Sequence, residues 1–173
     1  MPGPDRGCVI HTAGLNDYFH HALHRAAGRR HLRVDQATLH YVALLLCEYA
    51  RSEQVFDYAE QRLQLRPLAL LYGEALRAPS QRERRLWLQR LGDLALFVGG
   101  LFAGRLSRRF QDLDYCVAMG GNAYDYLQQT ATHADEQAQA TVFGELAEQF
   151  SHCVDLIAIV TGRCPPGVPD GVT

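Results

Sequence analysis

The amino-acid sequence predicts an all-α fold, a single-domain bundle of about six helices. Three observations lead there. Apolar residues recur at three- and four-residue spacing in one segment after another. These segments are bounded by residues that start and stop helices. No apolar run alternates with period two, and no Asn-Gly or Asp-Gly turn joins two apolar runs, since the pair Asp170-Gly171 lies in the C-terminal tail. A chain of 173 residues suits one domain and can bury enough surface to fold without a disulfide or a structural metal.

Residues 1–14 mix Pro, Gly and polar residues without periodicity, which predicts a loose N-terminal arm. A helix is expected from about Asn16, its N-cap, to Ala27, with Gly28 as its stop. Leu15, Phe19, Leu23 and Ala26 share one face of it. Asp35 is placed to cap a second helix reaching Arg51. Its stripe of Leu39, Val42, Ala43, Leu46 and Ala50 is widened by Leu44, Leu45 and Cys47, as in a central helix. Residues 52–65 show no clean period and predict a turn with a short helix. Pro67 suits the first position of a helix ending at Ala78. After Pro79, the run Ser80-Gln81-Arg82-Glu83 forms a capping box for a helix from Gln81 to Leu106. That helix begins amphipathic and ends apolar nearly all round. Two more helices are expected, from Asp112 to Thr132 and from Asp135 to Thr161. Phe143, Leu146, Phe150, Val154, Ile157 and Val160 line the last. The helical domain thus covers residues 15–163, and residues 164–173, opening on Cys164-Pro165-Pro166-Gly167, form a disordered tail.

A formal net charge of -2 gives no bulk electrostatic reason to bind nucleic acid or a membrane surface. All 17 basic residues are arginine, a bias that points to a GC-rich, bacterial genome. The longest apolar stretch, Leu94 to Ala103, is about half of the roughly 20 residues that a membrane helix needs. No basic start followed by an apolar run marks a secretory signal, so a cytoplasmic protein is expected. The five cysteines, Cys8, Cys47, Cys116, Cys153 and Cys164, are scattered, with no CxxC pair to suggest a disulfide framework or a zinc ribbon.

The least ordinary stretch runs from Leu91 to Leu127. Asp93 is a carboxylate in an otherwise apolar helix. Gly92, Gly99, Gly100 and Gly104 lie in or next to that helix, and Gly120 and Gly121 follow in the next. Each interior glycine costs about 1 kcal/mol relative to alanine, so the group implies either close helix packing or the wall of a pocket. Between the two helices, Arg105, Arg108 and Arg109 face Asp112 and Asp114. They can bind a carboxylate or phosphate, or pair with those aspartates and with helix ends. Tyr115, Tyr124 and Tyr126, with Trp87 and Phe97, either line a pocket or fill a core. An unpaired buried Asp93 would cost several kcal/mol or take up a proton. It is therefore expected to be paired, with Arg108, Arg109, Tyr115 or Tyr124 as donors.

Leu91-Gly92-Asp93, Leu96-Phe97, Gly100, Phe102, Leu106, Arg108, Asp112, Asp114-Tyr115, Met119-Gly120 and Ala123-Tyr124 resemble a pattern of uncharacterised bacterial all-helical proteins, LGDxxLFxxGxF…DxDYx…MGxxAY. Asp17-Tyr18-Phe19-His20 and Arg66-Pro67-Leu68-Ala69-Leu70-Leu71 are similar to other parts of it. Two positions depart: Ala95 stands where a small hydroxyl residue is common, and Cys116 where a second aromatic follows the tyrosine. The resemblance implies an all-helical fold and no particular activity.

Other candidates are thinner. His20 and His24, four apart, can present two imidazoles to one metal, but the third ligand and the glutamate of HExxH are missing. Glu148 and His152 are also four apart, yet the paired Glu-x-x-His motif of a di-iron bundle does not occur. Cys47, Cys116 and Cys153 fall on apolar faces, where free cysteine behaves as a small hydrophobe. With no specific catalytic motif, the sequence favours a binding role. The expected site is Asp93, Arg108, Arg109, Asp114, Tyr115 and Tyr124, and the occupant a small molecule or a protein partner. A metal- or haem-dependent enzyme or sensor, with its cofactor inside the bundle, is the alternative. The long apolar face of the last helix further suggests a homodimer.

Overall fold

A computed structural model describes residues 12–51, 66–105 and 110–162. Among them are seven helices and no strand: α1 Thr12–Arg29, α2 Gln36–Arg51, α3 Arg66–Arg77, α4 Gln81–Arg105, α5 Phe110–Gln129, α6 Ala134–Glu148 and α7 Phe150–Gly162. The all-α expectation holds, and the count exceeds it by a helix. The readings for residues 52–65, the tail and most of the N-terminal arm lie outside the described residues, as do Arg108 and Arg109.

The central element is α4, which packs against α3, α5 and α7, while α1 and α2 pair and α6 lies along α5. Leu23, Leu39, Leu46, Leu68, Leu91, Leu96, Leu127, Leu146, Leu156 and Ile157 are fully buried in one core. Each such side chain contributes on the order of 2 kcal/mol by leaving water. No described helix is long and apolar enough to cross a membrane.

Several boundaries differ from the sequence expectation, each for a local reason. Helix α1 begins at Thr12, so Asn16 lies inside it rather than at its cap, and the Asn16 Oδ1 is buried without a hydrogen-bond partner. Nor is Gly28 the stop. The chain continues to His31, which takes the left-handed conformation at φ 54°, and the Leu32 N–H donates to the Ala27 carbonyl at 3.0 Å. That is a Schellman closure with histidine where glycine is usual. The Ser80 cap forms as expected, its hydroxyl accepting from the Glu83 N–H at 3.2 Å.

The expected last helix is two helices. At Gln149 the backbone turns to φ -108°, ψ 24°. The Gln149 amide donates to the Arg33 carbonyl at 3.0 Å and to Glu145 Oε1 at 3.1 Å. The break lets α7 turn its apolar face inward. Phe150, Cys153, Val154, Leu156, Ile157 and Val160 are all buried within the chain, so the surface on which the homodimer expectation rested is already covered.

Gly92, Gly100 and Gly120 serve close packing. A Cβ on Gly100 would run into the Ile157 side chain, and one on Gly120 into the Phe150 ring and Ala95. A Cβ on Gly92 would come within 2.8 Å of the Tyr124 ring. Interiors packed at this density cannot absorb an added methyl without shifting their neighbours.

Candidate functional site

Asp93 sits midway along α4, facing α2 and α5. Its carboxylate oxygen Oδ1 accepts the hydroxyls of Tyr41 from α2 and Tyr124 from α5, both at 2.7 Å. The Gln89 amide, one turn earlier on α4, donates to the Tyr41 hydroxyl at 3.1 Å. These are all the hydrogen bonds that described residues make to the group. Neither described ion pair, Arg77–Glu74 nor Arg85–Glu136, involves it.

The surroundings are aromatic. Tyr124 is fully buried, stacked on Phe143 at 5.7 Å and tilted against Phe150 at 6.0 Å. Tyr41 meets Phe143 edge-on at 5.7 Å. Tyr49 stacks flat on Phe97 at 4.4 Å, one turn beyond Asp93. Gly92 supplies the space in which the Tyr124 ring lies across α4. The backbones of α2 and α4 approach each other little, and these long side chains span the interval.

The electrostatics follow from that setting. Burial pushes the Asp93 carboxyl up to about 6, against the opposing pull of the Tyr124 and Tyr41 hydrogen bonds, and the negative charge of Glu48 adds to the rise. Burial and the Asp93 charge hold Tyr41 and Tyr124 well above the ordinary phenol range. Tyr49 is raised in the same way. All three tyrosines are therefore donors or neutral rims at physiological pH. Among the described residues, the site is a desolvated carboxylate with two fixed donors and no counter-ion.

Of the expected site residues, the structure joins Asp93 to Tyr124. It leaves Asp114 exposed and Tyr115 half-buried, neither with a hydrogen bond to Asp93 among the described residues. Arg108 and Arg109 lie outside the described residues. Tyr41 and Gln89 were not anticipated.

The histidines lie elsewhere. His20 is half-buried with its ring 6.1 Å from His40, and His24 Nδ1 is 3.1 Å from the Gln36 amide. Glu148 and His152 are exposed. Among the described residues no three His, Cys, Asp or Glu side chains converge as a metal site. Burial raises the Cys47 thiol and pushes those of Cys116 and Cys153 up to about 12, so all three stay protonated.

Two further polar clusters escaped sequence reasoning. Buried Arg85 on α4 donates from Nη1 to the Leu127 carbonyl at 2.8 Å and to the Thr130 hydroxyl at 2.6 Å. Its Nε lies 3.3 Å from Glu136 Oε1. Arg85 precedes Leu88 by three residues and Gly92 by seven, which puts it on the buried stripe of α4, a signal available in the spacing. On the opposite side, the Glu145 carboxylate of α6 accepts the Asp35 N–H at 3.0 and 3.2 Å and the Thr38 hydroxyl. It thereby caps α2 from another helix. An open groove of about 400 Å³ lies there, walled by Asp35, Thr141, Glu145 and Glu148 among others.

No protein-family model, no curated protein and no solved structure matches this chain.

Proposed function

We propose that this chain is a non-catalytic helical binding domain whose recognition centre is Asp93, with Tyr41, Tyr124 and Gln89 around it. The occupant is a small ligand or one side chain of a protein partner. The observation that carries this reading is the Asp93 charge itself. An asparagine oxygen could accept the same two tyrosine hydroxyls and join the same three helices. The carboxylate adds a desolvated charge, which costs stability at neutral pH. Groups held against their own solvation in this way concentrate at functional sites. Gly92, Asp93, Gly120 and Tyr124 also belong to the pattern that the sequence resembles, and they lie around this one place.

The test is a nuclear magnetic resonance screen of cationic, anionic and neutral fragments against the wild type and Asp93→Asn. Hits that shift the amides of Asp93, Gln89 and Tyr41, and that vanish in a fully folded Asp93→Asn variant, are expected. A screen in which no fragment shifts these amides, or in which the variant binds the same fragments as the wild type, overturns the reading.

A further inference from the structure

We propose that Asp93, with the tyrosines around it, recognises an organic ammonium group, carried by a free primary amine or by a lysine side chain of a partner protein. The proposal rests on the binding reading above and adds the class of ligand.

Three observations carry it. The first is the sign of the charge. Asp93 and Glu48 are both negative, and among the described residues neither forms an ion pair with a basic side chain. An anion is therefore repelled, while a cation supplies a counter-charge that no described residue provides. The second is the distribution of donors. Both tyrosine hydroxyls go to Oδ1, and no described residue donates to Oδ2. An ammonium group carries three N–H donors and no acceptor, so it can serve Oδ2 without competing for the two hydroxyls. The third is the lining. Tyr41 donates to the carboxylate, and Tyr49, stacked on Phe97, is near enough to feel its charge; aromatic side chains accept an alkyl stem and favour a nearby cation.

Titration follows from the same geometry. Among the described residues, the titratable groups facing Asp93 are Tyr41, Glu48 and Tyr49 from α2 and Tyr124 from α5. The tyrosines stay neutral, so Asp93 is the group whose proton competes with the ligand. Bound ammonium should displace that proton and lower the Asp93 pKa.

The experiment titrates the protein with butylammonium, with Nα-acetyl-lysine methylamide, with tetramethylammonium (a cation without N–H donors) and with butanol. Amide shifts and the Asp93 carboxyl carbon are followed by nuclear magnetic resonance. Butylammonium or the lysine derivative should bind at least tenfold more tightly than butanol or tetramethylammonium. That affinity should fall about tenfold from neutral pH to about pH 5, because only the ionised fraction of Asp93 binds. Asp93→Asn should lose the binding while keeping its fold. Binding by the lysine derivative alone assigns the source to a partner protein, and binding by butylammonium assigns it to free amines. Equal binding of butanol, or butylammonium binding that survives Asp93→Asn, overturns the ammonium proposal. If the fragment screen still finds Asp93-dependent hits, the broader reading survives that failure; if it finds none, both fall.

Discussion

On α4 the guanidinium of Arg85 is surrounded by what it needs: the Leu127 carbonyl, the Thr130 hydroxyl and the Glu136 carboxylate. Glu136 in turn accepts the N–H groups of Thr132 and His133 at 2.9 and 3.2 Å. Those backbone bonds, with the nearby guanidinium, lower its pKa. About two turns further along the same helix, Asp93 has, among the described residues, two donors and no counter-ion, and its pKa is raised. Both groups tie α4 to its neighbours by hydrogen bonds, so hydrogen bonding does not distinguish them. Charge balance does. Arg85 closes the end of α5 and the start of α6 as a neutralised unit, whereas Asp93 keeps a charge that its setting opposes. A side chain whose job ends with the fold should be satisfied by the fold, and Arg85 is.

The comparison breaks most readily at Arg85. Replacing it with leucine takes the neighbouring positive charge away from Glu136 and leaves the Leu127 carbonyl short of a donor. Losing the buried guanidinium and its hydrogen bonds to Leu127 and Thr130 costs about 2 kcal/mol or more, or roughly 6 °C of Tm in a domain of this size. Thermal unfolding followed by circular dichroism measures it. A loss under about 0.5 kcal/mol would mean that the Arg85 cluster is no more structural than a surface contact.

Glu145 offers a smaller test of the same rule. Its carboxylate also joins distant segments, and its acceptors are occupied by the Asp35 N–H, the Thr38 hydroxyl and the Gln149 amide. At the start of α2 its charge is favoured by the helix dipole. Glu145→Ala should cost about 1 to 2 kcal/mol, as loss of a helix cap does. Denaturant unfolding is the measurement, and an unchanged midpoint would show that α2 finds another cap.

The helices were legible because their signals are local. Pro67, the Ser80–Glu83 box and the apolar stripes each act within a turn or two. The break at Gln149 was not, because its cause is the Arg33 carbonyl, 116 residues away in the chain. For the site, Asp93 stood out as a charge in an apolar run, and Tyr124 was one of four donors offered for it. Tyr41 lies 52 residues from Asp93 and sits beside a leucine stripe like any other aromatic. Spacing within α2 says which face Tyr41 is on, but not which helix that face meets. Arg85 was missed for a different reason. Arg82, Arg84 and Arg90 surround it in sequence, and only the register with Leu88 and Gly92 separates a buried arginine from its solvated neighbours.

The smallest effect is the most discriminating, and it concerns the pH dependence of stability. The Asp93 pKa is raised from 3.8 to about 6 in the fold. A carboxyl raised on folding binds its proton more tightly in the native state. Its contribution to stability is therefore fully present below the unfolded value and is lost as pH rises through the folded one. From about pH 5 to about pH 7.5 the loss should be on the order of 1 kcal/mol. Other carboxylates and the histidines also titrate over this range, so the quantity to measure is the difference between the wild type and Asp93→Asn. In acid the two should be close, since a protonated carboxyl and an amide both present an oxygen to Tyr41 and Tyr124. Towards neutral pH the variant should gain on the wild type by about that 1 kcal/mol. If Asp93 were instead a structural ion like Arg85, the variant would lose ground as pH rises, because the wild type would then be stabilised by its charge. Urea unfolding at the two pH values decides the sign. A variant that falls further behind at neutral pH would place Asp93 with Arg85 and remove the reason for seeking a ligand there.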